Sequence, residues 1–528
     1  MKQKVDSMFL QSIKFALSII VLWTNSYLSS NITINTQEQI PQYNSPMAQG
    51  FLNRLTFAIP QQGSNGTGTN FIPFSICPTP TVPQNDQCNA IVLQPDGCIL
   101  LTGITTDINN VTYFAVARYL PNGELDPTFG QIATPRAGTQ YIPFTIAGGT
   151  NDTATAIGIQ SDGKIIVAGN TSNLGGSTYL AVARFTPTGQ LDTTFGQTGL
   201  KAGTQYIPFS IIGGGNLDEA GSITIQKDDK IIFAGTTYTA GNTSSSFAIA
   251  RFTAQGLLDT SFGQAGVKSG TQYIAPIYPG GNNFDSGITL TLQPDDKIIM
   301  AGTTQDIVPN TYFALARFTT TGQLDTTFGG GTTGARGGTQ YLSPTIAGGE
   351  SDSLSSIALQ NDGKIVLSGF SYEHTNTTTF FSLARFTSNG QLDTTFGGFT
   401  GSRPGTQYVP FTIIPGGVGD TRTTITIQSD SKILLSGYSL KNGPLTAFIS
   451  LARFLSNGQL DTATFGNIGS TQAGTSYIPF SISGQTTPNI YDTNSGIKLQ
   501  SGTNAIVGGT SSNANNPPFY FAVASVTY

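Results

Sequence analysis

Short runs in which apolar and polar side chains alternate recur along this chain, separated by turn residues. In Ile288-Thr-Leu-Thr-Leu292 the alternation has a period of two, as a strand with one better-buried face requires. Tyr273-Ile-Ala-Pro-Ile-Tyr278 precedes it, and Lys297-Ile-Ile-Met-Ala301 and Phe313-Ala-Leu-Ala-Arg-Phe318 follow. These stretches, named a, b, c and d in chain order, predict four strands. Between b and c stands Gln-x-Asp-Gly-Lys or a close variant, as at Asp162-Gly163 and Asp362-Gly363. Asp-Gly adopts the positive backbone angles of a tight hairpin, so b and c are antiparallel neighbours. Alanine or serine at alternate positions of d lets another sheet approach that face closely.

The four-strand phrase recurs seven times. Its copies are indexed by an arginine near the end of d: Arg118, Arg184, Arg251, Arg317, Arg385 and Arg453, with Ser525 in the seventh place. Successive steps are 66, 67, 66, 68, 68 and 72 residues. The expected fold is therefore all-β, a seven-bladed β-propeller of four-stranded repeats about 67 residues long. An open solenoid is the competitor, and the termini argue against it. The seventh copy lacks the G-x-L-D phrase that follows every arginine, while an imperfect version, Gly50-Phe-Leu-Asn-Arg-Leu-Thr-Phe57, stands before the first copy. The N-terminal segment is expected to complete the last blade and close the ring. The domains then read as a signal peptide or N-terminal anchor over 1–30, a polar linker over 31–49 and the propeller over 50–528.

Six arginines are each followed eight residues later by an aspartate: Arg118 and Asp126, Arg184 and Asp192, Arg251 and Asp259, Arg317 and Asp325, Arg385 and Asp393, Arg453 and Asp461. In the copy shared between the termini both members are neutral, Ser525 and Asn53. Joint loss is what a buried ion pair predicts, because removing one partner strands the other charge in a poor dielectric. These are read as structural pairs.

At the same residues the chain resembles the bacterial delta-60 repeat family. The phrases are D-x-x-x-x-I-x-[LI]-Q-x-D-G-K-I, then F-[AS]-[VIL]-A-R-[FY] and G-x-L-D-x-T-F-G, recurring through residues 82–528. The resemblance implies a propeller-like β architecture and a bacterial exported or surface protein, and it brings no catalytic residues. The GT-[QNS]-[YF] opening of every copy departs from the family pattern and lengthens the unit.

Composition narrows the function classes. Only 10% of residues are charged and the net charge is −5, with no long charged run, which argues against nucleic acid as a partner. Lys2 and Lys4 precede the apolar stretch Phe15–Trp23, which fits the centre of a secretory signal and is too short to span a bilayer comfortably. An exported location is expected, with membrane contact only through an uncleaved N-terminal segment. Cys77 and Cys88 bracket an insert in the first copy, where a disulfide would fasten one loop of an exported protein; Cys98 stands in the turn position that other copies give to lysine. The lone histidine, His374, lies four copies away, so no metal site is expected.

Two charge rings recur once per copy. A basic residue precedes GTQ at Arg136, Lys201, Lys268, Arg336 and Arg403, with Gln472 in the last copy, and each cation is expected to pair with a nearby turn aspartate. An aspartate ends each a–b connection (Asp86, Asp152, Asp218, Asp285, Asp352, Asp420 and Asp492) and is expected to stabilise its own turn. The b–c and d–a connections share one face of the disc and the a–b and c–d connections the other. The c–d loops share little sequence, and variable loops on a rigid scaffold are where binding specificity accumulates, while the d–a and b–c face is the alternative, since many ring-shaped propellers bind ligands there. Asp306, Tyr372, Glu373 and His374 break the repeat symmetry and are the weak candidates for a site. The expected function is a monomeric, non-catalytic, exported binding or surface-display scaffold for a protein or glycan, without cofactor. The alternative is an exported enzyme acting on polysaccharide through the same loop residues.

Overall fold

The computed structural model describes residues 69–72, 76–77, 85–130, 137–196, 201–263, 268–274, 277, 280–281, 284–308, 310–330, 337–342, 345–347, 351–372, 378–399, 403–441, 446–466, 473–478, 492–500, 503–512 and 519–527. The chain divides into two compact units, 1–56 and 57–528, and every described residue belongs to the second. The apolar leader, the linker and the Gly50–Phe57 phrase lie outside the described residues.

In the fourth copy the four strands are Thr271–Ile274, Asp285–Leu292, Ile298–Gln305 and Thr311–Phe318. Strand a stops short of the apolar run that suggested it. Pro276 has no N–H with which to extend the ladder. Strands b and c run longer than their alternating cores.

Strand order within a sheet is b-c-d-a, with a taken from the following copy. The first such sheet joins Asp86–Leu93, Ile99–Thr106 and Thr112–Tyr119 to Thr139–Tyr141 of copy two. The sheet of copy seven joins Asp492–Leu499, Asn504–Ser512 and Phe519–Thr527 to Thr69–Phe71, with Thr69 opposite Ala524 and Phe71 opposite Ala522. Six hydrogen-bonded sheets form among the described residues, five of four strands and one of eight. The larger one unites copies five and six through a single parallel bridge between Thr379 and Gly419. The same contact recurs elsewhere as an isolated bridge, as between Thr112 and Asn151 or Thr311 and Ser351.

Alternation along strand d decides how sheets stack. Phe313 and Leu315 enter the apolar layer shared with Ile365 and Leu367 of copy five. Ala314 and Ala316 point the other way, where their small size admits Phe247 and Ile249 of copy three. Each buried large side chain contributes about 1.5–3 kcal/mol by leaving water. A corresponding layer joins Ile91, Leu101 and Ala115 of copy one to Ile506, Phe521 and Val523 of copy seven.

The b strands of successive copies contact one another, those of the first and last copies included, so b is the inner edge and a the outer. Every b strand carries a bulge soon after its leading aspartate, as between Cys88 and Ala90. The facing glycine of strand c makes room for it: a Cβ on Gly103 would lie 1.8 Å from the Gln87 carbonyl oxygen. Copies are also stitched edge to edge. The Cys88 N–H donates to the Thr510 hydroxyl at 3.0 Å, and the Ser495 hydroxyl donates to the Cys88 carbonyl at 2.7 Å.

Candidate functional site

The six arginines and aspartates of the indexed phrase are in contact. Arg317 Nε donates to Asp325 Oδ2 at 2.9 Å, and both side chains are buried. The same guanidinium lies 4.7 Å from the centre of the Phe328 ring and donates through Nη1 to the Ser388 carbonyl of the next copy at 3.1 Å. Arg118, Arg184, Arg251 and Arg385 reach the equivalent carbonyls of Pro187, Ala254, Thr320 and Ser456. The pair is thus one corner of a cluster that also locks adjacent copies. In copy seven, which has Ser525, Gln500 Nε2 donates to the Pro121 carbonyl at 2.9 Å, as Gln160 and Gln293 do to the carbonyls their arginines also reach. Burial alone would raise these aspartates. Hydrogen bonds from Thr327 and Lys297 and the Arg317 charge outweigh it and bring Asp325 down to about 2.

The basic ring acts on the acidic ring of the preceding copy. Lys201 Nζ donates to the Thr145 carbonyl, stands 4.9 Å from the Phe144 ring, and its charge acts on Asp152 of the preceding copy. Lys268 does the same through Ser210 and Phe209 toward Asp218, and the Arg403 charge acts on Asp352. Arg136, Arg336 and Gln472 lie outside the described residues. The ring aspartates do brace their own a–b connections, by accepting a backbone N–H six to ten residues earlier rather than one within an Asx turn, because the side chain points inward at the start of strand b. Asp152 Oδ2 accepts the Ile146 N–H at 2.7 Å and its Oδ1 the Thr171 hydroxyl at 2.7 Å. Burial pushes Asp152 up to about 6 and Asp352 and Asp420 up to about 7.

The symmetry-breaking candidates are not brought together by any described contact. Asp306 is consumed by its own loop: Oδ2 accepts the Tyr312 hydroxyl at 2.9 Å and Asn310 Nδ2 at 3.0 Å, and Oδ1 accepts the Val308 and Asn310 N–H groups. Burial would raise it, but these hydrogen bonds prevail and hold it below the usual carboxylate range. Tyr372 ends strand c of copy five, 39% exposed, with its ring edge-on to Phe370. Glu373 and His374 lie outside the described residues. The expected Cys77–Cys88 bond is not formed. Cys88 belongs to strand b and is used as core, 2% exposed, and burial pushes its thiol up to about 12. Burial and the neighbouring Asp96 push the Cys98 thiol up to about 11.

A site that the sequence did not announce lies along the inner strands. All seven copies contribute to a cavity of about 870 Å³. Much of its wall carries hydroxyls and amides, among them Thr153, Ser353, Ser355, Thr421, Asn89 and Asn494, and Phe370, Tyr438 and Phe519 add aromatic rings. The lining uses the first half of strand b together with the end of c and the start of d. It therefore lies at the c–d-loop end of the inner strands. Among the lining residues the formal charge is carried by Arg422. The signal for it was present: strand b of copy six, Gly417–Ile427, contains Asp420-Thr-Arg-Thr-Thr424, where the other copies carry Cys88, Ala154, Ala220, Gly287, Leu354 or Asn494 at the arginine position.

Comparison with known proteins follows the same repeat. No curated protein matches the chain. Among solved structures, polysaccharide lyase Uly1 is similar at 9% identity and a TM-score of 0.46, covering 90% of this chain and 94% of that one. A protein of unknown function from Dyadobacter fermentans is similar at 14% identity and a TM-score of 0.41, covering 88% and 100%. The β-propeller domain of the Trilobed protease from Pyrococcus furiosus is similar at 11% identity and a TM-score of 0.39, covering 87% and 96%. Residues 94–129, 160–195, 226–262, 293–328, 360–396 and 428–463 match the family described as Domain of unknown function (DUF5122) beta-propeller. Each match starts at the glutamine of the b–c turn and runs through strands c and d into the arginine–aspartate cluster, so the chain is a β-propeller repeat protein.

Proposed function

We propose that this protein is a non-catalytic, exported binding or display scaffold of the delta-60 type, built as a closed ring of seven blades, with its binding face at the c–d loops. The seven-blade count takes the eight-stranded sheet as two blades joined by one bridge. Closure is supported by the pairing of Thr69–Phe71 with the last strand and by the apolar layer between copies one and seven.

One observation carries the choice of face. Among the described residues, Ile108, Leu174, Ile307, Val308, Phe284 and Val418 are large exposed apolar side chains in or beside c–d and a–b connections. Tyr372 joins them, and Leu257 is the one such residue on the opposite face. Leu174 is 91% exposed. This bias of exposed apolar side chains to one face favours it as the contact surface, and they stand at the end where the inner cavity lies.

The test is a binding screen of the purified protein against glycans and cell-envelope fractions, with turnover assayed in parallel. Saturable binding without product is expected, and Leu174→Asp with Ile307→Asp should weaken it while leaving the melting temperature unchanged. Turnover of a bound saccharide, or binding indifferent to the loop variants, would overturn the reading.

A further inference from the structure

The bulge in strand b of copy six is inverted relative to its counterparts. In five of the other six copies the first bulge residue is buried and the second half-buried, as with Leu354 and Ser355 or Ala154 and Thr155; in copy three both Ala220 and Gly221 are half-buried. In copy six the order is reversed, with Arg422 exposed and Thr423 only 1% exposed. The cause is backbone. Arg422 has φ of 50°, in the left-handed region, and it is the non-glycine residue of the described strands that adopts it. Such a conformation is strained for a long side chain and persists only where the surroundings enforce it.

The enforcing contacts are visible. The Thr423 hydroxyl donates to Ser368 Oγ of copy five at 3.0 Å. From copy seven, Asn494 Nδ2 lies within reach of the Arg422 carbonyl at 3.5 Å, and it donates to the Thr424 hydroxyl and the Ser436 carbonyl, each at 3.1 Å. Both neighbouring copies thus hold a bulge whose outcome is to turn a guanidinium into the cavity. No carboxylate among the described residues forms an ion pair with it. Glu219, an exposed acid on an inner strand, is three copies away and accepts the Tyr238 hydroxyl at 2.9 Å. A second exposed cation, Lys498, stands on strand b of copy seven.

We propose that the inner cavity binds an anionic saccharide, with Arg422 gripping its acidic group and the surrounding hydroxyls, amides and aromatic rings meeting the sugar. Strain retained in order to aim a charge is explained by what the charge meets, and a guanidinium suits the bidentate geometry of a carboxylate or sulfate. A wall of serine and threonine hydroxyls with Asn89 and a few rings is the complement of a polyhydroxylated ligand, and about 870 Å³ accommodates a small oligosaccharide. The proposal rests on the c–d-loop end being the binding face.

Calorimetry on the full chain tests it with three probes: an oligogalacturonate, a sulfated heparin-derived oligosaccharide and a neutral cello-oligosaccharide. Binding of at least one acidic probe is expected, weakening with salt and falling about 10- to 100-fold in Arg422→Gly. Glycine tolerates the positive φ, so this variant should melt no lower than the wild type. The acidic probe that binds identifies a carboxylate or a sulfate as the recognised group. Equal binding of the neutral probe, an unchanged affinity in Arg422→Gly, or no binding of any probe overturns the proposal. In each of those cases the loop variants Leu174→Asp and Ile307→Asp still decide independently whether the c–d face is a binding face.

Discussion

Arg317 contacts a carboxylate, an aromatic face and a carbonyl of the next copy at once. Removing it leaves buried Asp325 with only the half-buried Lys297, at 3.2 Å, to answer its charge, and strips away the ring and carbonyl contacts as well. Arg317→Ala should therefore cost about 3–5 kcal/mol, read as a fall in the melting temperature. The double variant Arg317→Ser with Asp325→Asn, which imitates Ser525 and Asn53, should be less damaging than the single one because no charge is stranded. If the double variant is the worse of the two, the pair is not what the cluster needs. The pair was legible because both members occur at a fixed spacing of eight and are absent together. The third contact was not, because its acceptor lies 71 residues further along the chain.

Strands b, c and d were legible from alternation and the Asp-Gly turn, since those cues are local. The fate of strand a was not. Its hydrogen-bond partner is strand d of the preceding copy, and nothing within the apolar run says which edge it joins. The G-x-L-D phrase that leads to it has a physical meaning at this scale. Gly322 has φ of 82°, and a Cβ there would lie 2.6 Å from Phe262 Cζ of the preceding copy. Gly176, in an open c–d loop, has φ of 78° and nothing within 4 Å. Both lose backbone freedom on substitution, but only one also collides with a core ring. Gly322→Ala should destabilise by about 1–3 kcal/mol more than Gly176→Ala in denaturant titrations. Equal losses would mean that the phrase is kept for turn geometry alone.

Across the whole molecule two sets of carboxylates oppose each other with pH. Asp152, Asp352 and Asp420 have folded values of about 6, 7 and 7, above the unfolded value, so the stability they contribute is full at acid pH and lost as pH rises through 6–7. Asp325 and its equivalents are lowered, Asp325 to about 2, so their contribution is present above the unfolded value and lost as pH falls toward 2. Thermal stability should peak near pH 4 and decline toward pH 7. The double variant Asp352→Asn with Asp420→Asn should flatten the decline toward pH 8. A maximum at pH 8 in the wild type would contradict this balance. Deleting residues 1–72 should bare the edge of Phe519–Thr527, giving a lower melting temperature and self-association in light scattering. The repeat architecture was legible from the period of the arginines. The cavity was not, because no cue within one copy says that the first half of each strand b faces a shared space; its cation left one trace, an arginine where the other copies carry uncharged residues.

The pairing of Thr69–Phe71 with Ala522–Ala524 also has a kinetic consequence. About 450 residues separate the partners, which at 5–20 residues per second is on the order of half a minute of synthesis or longer. Throughout that time the first strand has no edge to join, and copy one lacks the neighbour that covers its outward face. The last step of folding therefore couples segments far apart in the chain, and it can follow release from the ribosome. Until it happens, the sheet of copy seven holds three of its four strands, with the edge of Phe519–Thr527 open.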